Sequence, residues 1–256
     1  SSAKKAAMAG IAIGITEENL AVKQQLIYQL EEALSPEAII GLNTESFLLE
    51  ELQQNAKHPC RIIGLNWCEP AHTTAFLEII ANRLTPDVIV KKVEALAVKG
   101  WSKDPYIVHC GYSVRARLMA ALAREAFYLV ENGYASVEDI DRACRNDAGY
   151  YLPFAGNCRY MDMMGTYAYG LVMKDLNREL SKATQPPALF TRLINAGKTG
   201  MENKGGFYNY AEGAGEQWEE QFRKFSFEIK AIIEKYPFNY LSKKSEMVSS
   251  KITINE

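Results

Sequence analysis

The hydrophobic positions in the first third of the chain form short apolar runs that alternate with amphipathic segments. The run GIAIGI at residues 10–15 is typical of a buried strand, and TEENLAVKQQLIYQLEEAL predicts a helix that begins near Thr16. SPEAIIGLN then predicts a turn and a second strand, TESFLLEELQQNA a second helix, and CRIIGLN a third strand. This βαβαβ order implies a parallel sheet with right-handed crossovers, which is an α/β fold.

Polar stretches follow each of the three predicted strands. They are residues 16–19, 43–46 and 66–70, and the last belongs to GLNWCEPAHTTAFLEII at 64–80, which leads from an apolar run into a helix-like pattern. Ligands of parallel sheets bind beyond the carboxyl ends of the strands, because loops and helix N-termini converge there. We therefore predict a ligand site at this edge of the sheet.

From Gly100 onward the pattern becomes that of helices. The segment ENG ends one helix at Gly133, and Ser136 followed by Asp139 predicts the N-cap of the next helix. We predict an α/β domain in residues 1–100, a mainly α-helical domain in 101–240 and a polar tail in 241–256. A tyrosine and methionine stripe is typical of core or interface packing rather than of a ligand site, and its members are Tyr160, Met161, Met164 and Tyr167.

The composition narrows the range of partners. The 256 residues are 48% hydrophobic and 23% charged, and the formal net charge of −2 gives no electrostatic case for nucleic acid or an anionic membrane. No apolar run approaches the roughly 20 residues of a membrane span, and SSAKKAAMAG lacks a signal-peptide pattern, so we expect a cytoplasmic protein. Five cysteines without a C-x-x-C pair, and three histidines, predict neither a metal site nor a disulfide framework.

Six stretches, taken in order, resemble motifs of the 3-hydroxyacyl-CoA dehydrogenase family. They are EENLAVK, GLNTES, RIIGLNWCEP, FLEII, LVENGYASVEDIDRA and NKGGFYNY, and the match covers about residues 10–210. The family counterparts are E-N-L-x-x-K, S-N-T-S-S, G-L-H-F-F-N-P, L-V-E-V-I, E-G-x-A-S-x-E-D-I-D and K-T-G-x-G-F-Y. The resemblance implies a Rossmann-type NAD-binding domain, here partial, and a helical domain that forms a homodimer and helps to enclose an acyl-CoA.

The same resemblance implies hydride transfer between NAD and C3 of a 3-hydroxyacyl-CoA, in fatty-acid metabolism. The family uses a His–Glu pair as general base, and a Ser and an Asn to hold the substrate oxygen. Matched motif to motif, the His falls on Asn66 and the Glu on Glu78. The Ser falls on Glu45, with Ser46 beside it. The Asn of P-G-F-x-x-N-R falls on Ala116 or on Arg115, depending on the register.

These substitutions change the expected chemistry. An amide cannot accept a proton as an imidazole does, so Asn66 could hold a substrate hydroxyl but not act as a base. His72 lies in the same loop and could pair with Glu78 as a replacement base, or it could be an exposed loop histidine. The candidate catalytic residues are Glu78, Asn66, Ser46 and His72.

Candidate cofactor and substrate contacts also follow from the resemblance. Glu18 and Lys23 occupy the family positions that meet cofactor and substrate, and Asn43 the position on the nicotinamide side. Lys23 is either a ligand of a CoA phosphate or a solvated helix charge. Glu69 stands in place of the Asn of G-L-H-F-F-N-P and completes the set.

The dinucleotide fingerprint G-x-G-x-x-G is missing before the strand at 10–15. Either the chain is incomplete or the member has lost its dinucleotide site, and the intact remainder of the half-sheet favours the first interpretation. Two functions remain open: an NAD-dependent oxidoreductase, or a non-catalytic acyl-CoA-binding or scaffolding dimer, which would be a pseudoenzyme.

Overall fold

The computed structural model describes residues 8–238. The chain divides between residues 120 and 121 into two compact units. The predicted tail at 241–256 lies outside the described residues.

The first unit contains a sheet of five strands in the order β1-β2-β3-β4-β5. The strands are β1 (Ile11–Gly14), β2 (Ile39–Leu42), β3 (Ile62–Trp67), β4 (Phe76–Ile80) and β5 (Asp104–Val108). The first three are parallel, as predicted, and β4 is antiparallel to β3 and parallel to β5. The α/β fold class is thereby confirmed, with a mixed rather than a purely parallel sheet.

Helices cover both faces of this sheet. They are α1 (Leu20–Ala33), α2 (Leu49–Gln53) and α3 (Asp87–Gly100), with a 3-10 turn at Pro59–Arg61. Successive strand residues point to opposite faces, so Ile39 and Ile63 join one core cluster with Val93 of α3, whereas Ile40 and Ile62 join another with α1 and α2. Burial on both faces explains why the strands are continuous apolar runs.

Three local predictions differ from the structure. The first helix begins at Leu20 rather than near Thr16, because the Asn19 side chain accepts hydrogen bonds from the N–H groups of the first turn. The second helix is limited to Leu49–Gln53. The helix-like interpretation of residues 76–80 is wrong, because this segment is β4, whose alternate residues face the two sides of the sheet.

The second unit is helical, as predicted. It contains the C-terminal part of α4 (Val114–Glu131), followed by α5 (Val137–Ala143), a π-helical turn (Cys144–Ala148), α6 (Gly149–Met164), α7 (Thr166–Leu176), α8 (Ala188–Asn195), a 3-10 turn (Met201–Asn203) and α9 (Ala214–Lys235). Ser136 caps α5 in a capping box with Asp139, and Gly133 adopts a positive φ of 71° after α4. Both predicted signals are confirmed.

Apolar side chains of the second unit are largely on its surface. In the stripe at residues 160–167, Met164 is 59% and Tyr167 is 80% exposed. An aromatic cluster is formed by Phe127, Phe190 and Phe207, whose ring centroids lie 4.8–5.5 Å apart. Within residues 8–238, no helix is long and apolar enough to cross a membrane.

A polar network at the carboxyl ends of the strands

The loops that follow β1 and β2 are joined by the ammonium group of Lys23. Its Nζ donates to Thr16 Oγ1 at 3.1 Å and to the backbone oxygen of Asn43 at 2.8 Å, and it pairs with Glu18 at 3.1 Å. The side chain is fully buried. The expectation of a solvated helix charge is therefore wrong, and these acceptors direct the ammonium inward rather than toward a CoA phosphate.

Asn43 reinforces the same connection. Its side-chain amide donates to the backbone oxygen of Thr16 at 2.8 Å, and its Oδ1 accepts the backbone N–H of Thr16 at 2.9 Å. Both ends of the amide thus fix the loop after β1 to the loop after β2.

Glu18 connects the loop after β1 to Ser46. Its Oε1 accepts the backbone N–H groups of Glu45 and Ser46, at 2.9 and 2.8 Å, and the Ser46 hydroxyl at 3.1 Å. Burial raises the pKa of Glu18, but these hydrogen bonds and the neighbouring Lys23 outweigh it, so the pKa lies below its ordinary value. Glu18 is therefore ionised at neutral pH.

Asn66 lies deep in the sheet, directly opposite Glu78 on β4. Its Oδ1 accepts the backbone N–H of Thr44 at 2.9 Å, and its Nδ2 donates to Thr44 O at 2.7 Å and to Glu78 Oε2 at 2.9 Å. Only 2% of its surface is exposed. The amide is therefore hydrogen-bonded to protein groups at both ends, in the place where the family has its imidazole.

Glu78 is fully buried and accepts hydrogen bonds from several elements. Besides Asn66, the donors are Ser113 Oγ at 2.6 Å, Tyr106 Oη at 2.8 Å and the backbone N–H groups of Val114 and Arg115 at 2.8 and 3.1 Å. Burial raises its pKa, yet the hydrogen bonds outweigh it and the net pKa is lowered. The carboxylate therefore stays ionised and occupies the positive N-terminus of α4.

Tyr106 is the partly exposed member of this network. It lies opposite Glu78 in the β4–β5 pairing and is 36% exposed. Burial and the hydrogen bond to Glu78 raise the pKa of its hydroxyl above the ordinary value. Tyr106 is therefore a neutral phenol at physiological pH, and its oxygen can still accept a hydrogen bond from a ligand.

The remaining candidates lie in the loop between β3 and β4. His72 is exposed within a turn, and Glu69 is exposed before Pro70. By contrast, Glu78 is enclosed by the donors just described. The structure thus brings Asn66 and Glu78 together, brings Glu18, Lys23, Asn43 and Ser46 into a second cluster, and leaves His72 and Glu69 on the surface.

Sequence reasoning missed Tyr106 and Ser113 altogether and gave no role to Arg115, which was named only as one register of the family Asn. Ser113 and Arg115 lie in GYSVRAR, whose departure from the family motif P-G-F-x-x-N-R was a signal. Tyr106 lies in the short strand β5, which the apolar pattern did not predict. Its signal was the short stretch of Pro105, Tyr106 and Ile107, which is too brief to predict a strand alone.

Comparison with known proteins identifies the lineage. The sequence profile described as 3-hydroxyacyl-CoA dehydrogenase, NAD binding domain, matches residues 1–110, and the profile of the C-terminal domain matches residues 111–210. A Mesorhizobium japonicum 5-formyl-3-hydroxy-2-methylpyridine 4-carboxylate 5-dehydrogenase is 26% identical over 204 residues, which are 79% of this chain and 66% of that protein. A 3-hydroxybutyryl-CoA dehydrogenase of Mycobacterium tuberculosis is 29% identical over 199 residues, covering 75% of this chain and 68% of the relative.

Solved structures agree with the sequence match. A crystal structure described as a 5-formyl-3-hydroxy-2-methylpyridine 4-carboxylic acid 5-dehydrogenase, an NAD+-dependent dismutase, superposes with a TM-score of 0.81 at 25% identity, covering 91% of this chain and 74% of the other. The (S)-3-hydroxybutyryl-CoA dehydrogenase of Ralstonia eutropha gives a TM-score of 0.63 at 26% identity, covering 83% of this chain and 74% of the other.

A Rossmann-type sheet followed by a helical unit defines a class of dinucleotide-dependent oxidoreductases. Within it, the chain belongs to the 3-hydroxyacyl-CoA dehydrogenase family, whose cofactor is NAD. The chain spans about two thirds of the length of the relatives compared above.

By the family resemblance, loops 16–19 and 43–46 would hold the nicotinamide side of this cofactor. Lys23 holds together loops 16–19 and 43–46 at the edge of the sheet where ligands of such folds bind. No stretch of the 256 residues contains the glycine-rich G-x-G-x-x-G loop that receives a pyrophosphate.

Proposed function

We propose that this chain is the part of an NAD-dependent oxidoreductase that binds the substrate beside the nicotinamide. NAD, when bound, accepts or returns a hydride from a carbon that carries a hydroxyl or carbonyl oxygen. The observation that carries the proposal is the ionised Glu78 with its donors, at the edge of the sheet where the family places its chemistry. The substrate that the family name suggests is a 3-hydroxyacyl-CoA, oxidised at C3 in fatty-acid metabolism.

We assign a separate role to each residue of the site. Tyr106 accepts a hydrogen bond from the substrate oxygen and is oriented by Glu78. Glu78 itself is a poor base, since its pKa is lowered. His72, in the loop between β3 and β4, is the histidine of this edge, so we assign it the removal of the substrate proton. Glu18, Lys23 and Asn43 order the loops next to the nicotinamide.

NADH binding to the purified full-length protein tests the proposal. We expect NADH fluorescence to change on binding, and binding to tighten when acetoacetyl-CoA is added, because a ternary complex excludes water from the site. The absence of binding in both conditions would contradict the oxidoreductase proposal. If NADH binds equally tightly with and without acetoacetyl-CoA, the proposal of a dehydrogenase would stand and the proposal of an acyl-CoA substrate would be contradicted.

A second candidate is a non-catalytic acyl-CoA-binding or scaffolding dimer. The specific observation in its favour is Asn66, whose amide occupies the position of the family base and is hydrogen-bonded at both ends. Asn66→His tests whether the rest of the site can still catalyse the reaction, with Asn66→Gln as the control that changes side-chain length but adds no base. Turnover gained by Asn66→His alone means that the remaining site is competent. Turnover of a 3-hydroxyacyl-CoA by the unchanged protein would contradict the second candidate, which is non-catalytic.

The proposed partners are a small-molecule substrate and a second copy of the chain. The homodimer would form through the helical unit, whose apolar side chains are largely on its surface. From the charge and composition of the chain, we propose that its partners include neither a nucleic acid nor a membrane. We propose the cytoplasm as its location.

A further inference from the structure

An ion pair of two half-exposed side chains lies beside the Glu78 network. The guanidinium of Arg115 pairs with the carboxylate of Glu45 at 2.5 Å, and the two side chains are 30% and 49% exposed. Both residues belong to the first unit, Glu45 to the loop after β2 and Arg115 to the first turn of α4. Glu45 stands where the resemblance puts the family Ser, and Arg115 stands at the family Asn in one of the two registers.

The direction of Arg115 is set by the same network. Its backbone N–H donates to Glu78 Oε1, so the residue cannot shift along the helix without breaking a hydrogen bond to a buried carboxylate. The guanidinium lies over the ring of Phe76, 5.8 Å from its centroid. Phe76 in turn contacts Tyr106 edge to face, with ring centroids 5.6 Å apart.

These groups combine a cation with two aromatic walls. A guanidinium offers five N–H donors in a planar fork that matches the two oxygens of a carboxylate, and Glu45 is paired with it through one oxygen. An ion pair this exposed contributes little free energy, because water screens both charges. A carboxylate that arrives on a ligand can therefore replace Glu45 at low cost.

Resting on the oxidoreductase of the proposed function, and replacing its acyl-CoA substrate, we propose that Arg115 binds a carboxylate of the substrate, and that the substrate is a small aromatic acid whose ring packs against Phe76 and Tyr106. Glu45 holds the guanidinium in place until the substrate arrives. A single carboxylate suits this position because it replaces the single charge of Glu45 one for one.

The proposal is tested first on the unchanged protein, with benzoate, benzamide and cyclohexanecarboxylate as probes in isothermal titration calorimetry. Benzoate and benzamide share the ring and differ in charge, whereas cyclohexanecarboxylate keeps the charge and loses the aromatic face. We expect benzoate to bind about tenfold more tightly than benzamide, because the charge-assisted hydrogen bonds are lost with the amide. The affinity for cyclohexanecarboxylate should lie between those for benzoate and benzamide. Equal affinities for benzoate and benzamide would overturn the proposal.

Variants then assign the contact to Arg115. Arg115→Gln should lower benzoate affinity about tenfold and remove the preference over benzamide, and Arg115→Lys should retain part of the preference because the charge remains. Glu45→Gln should raise benzoate affinity, since the competing carboxylate is gone. Arg117→Gln is the matched control two positions along α4, where the guanidinium lies over Tyr112 at 4.8 Å.

The results separate this inference from the proposed function. A preference for benzoate that survives in both Arg115 variants, or that is lost equally in Arg117→Gln, would overturn the assignment to Arg115. Benzoate binding without any NADH binding by the unchanged protein would support the carboxylate site and contradict the oxidoreductase. NADH binding without a preference for benzoate over benzamide would support the oxidoreductase and contradict the carboxylate site.

Discussion

At the scale of single residues, Glu78 is surrounded by hydrogen-bond donors from β3, β5 and the start of α4. In the family pattern a glutamate orients a catalytic histidine. Here its carboxylate accepts hydrogen bonds from Asn66 on β3, Tyr106 on β5, and Ser113 and the first residues of α4. The charge is buried, so its stability depends on this complete set of donors. Glu78 therefore fastens three strands and a helix, whatever chemistry occurs beside it.

Replacement of this carboxylate by an amide should destabilise the first unit. Glu78→Gln removes the charge that the N-terminus of α4 stabilises and places N–H groups against other donors, so we expect a loss of about 2–4 kcal/mol of unfolding free energy. Urea unfolding measures the change. Glu17→Gln, at an exposed position near the same edge, is the control and should leave stability unaltered. Equal stabilities of the two variants would contradict the fastening role.

The acid dependence of stability provides a second readout of the same variant. The pKa of Glu78 is lowered from the ordinary 4.5, so its contribution is present above that pH and is lost as the pH falls through the folded value. The unchanged protein should lose stability below pH 4.5. Glu78→Gln should lose less, because its amide does not titrate.

At the scale of elements, close approach of strands depends on a small residue in β2. A Cβ on Gly41 would lie 2.3 Å from Leu65 Cδ1, which belongs to the adjacent strand β3. Leu65 is fully buried and packs in the cluster that includes Val93 of α3. The leucine cannot turn away without displacing this core, since protein interiors are close-packed.

Gly41→Ala should therefore reduce the unfolding free energy by about 1–3 kcal/mol, the usual cost of overpacking. The control is Gly10→Ala, just before β1, where nothing lies within 4 Å of an added Cβ. That substitution should alter stability by less than about 0.5 kcal/mol. Chemical denaturation of both variants makes the comparison, and a neutral Gly41→Ala would mean that β2 and β3 can separate.

At the scale of the whole molecule, the two units differ in how they treat apolar side chains. The first encloses its core on both faces of a sheet. The second leaves large apolar residues on its surface, among them Tyr150, Met163, Met164, Tyr167 and Trp218. Exposed apolar patches of this kind are typical of surfaces that associate, which agrees with the proposed homodimer.

The proposed dimer makes a direct prediction about mass. Light scattering after size-exclusion chromatography should give twice the mass of one chain. Tyr167→Glu should give a monomer, because it places a charge in the apolar stripe of the helical unit. Tyr134→Glu changes an aromatic residue of similar exposure outside that stripe and should remain dimeric. A dimeric Tyr167→Glu protein would move the interface away from the stripe.

Sequence alone determined the features that depend on local pattern and on ordered motifs. The apolar runs at β1, β2 and β3, the cap at Ser136 and the glycine at 133 could be predicted, because each follows from nearby residues. The family could be predicted because its motifs recur in order over about 200 residues. The match of Asn66 to the family histidine also came from the motifs alone, and it stays a prediction.

Tertiary structure decided what depends on partners that are distant in the chain. Only the fold shows that Lys23 is buried between two loops, that β4 runs antiparallel to β3, and that Glu78 receives Ser113 from 35 residues away. Charges and hydrogen-bond donors have no periodicity along a sequence, so their pairing cannot be predicted from local pattern. Arg115 and Glu45 are separated by 70 positions and meet only because β2 and α4 converge at one edge of the sheet.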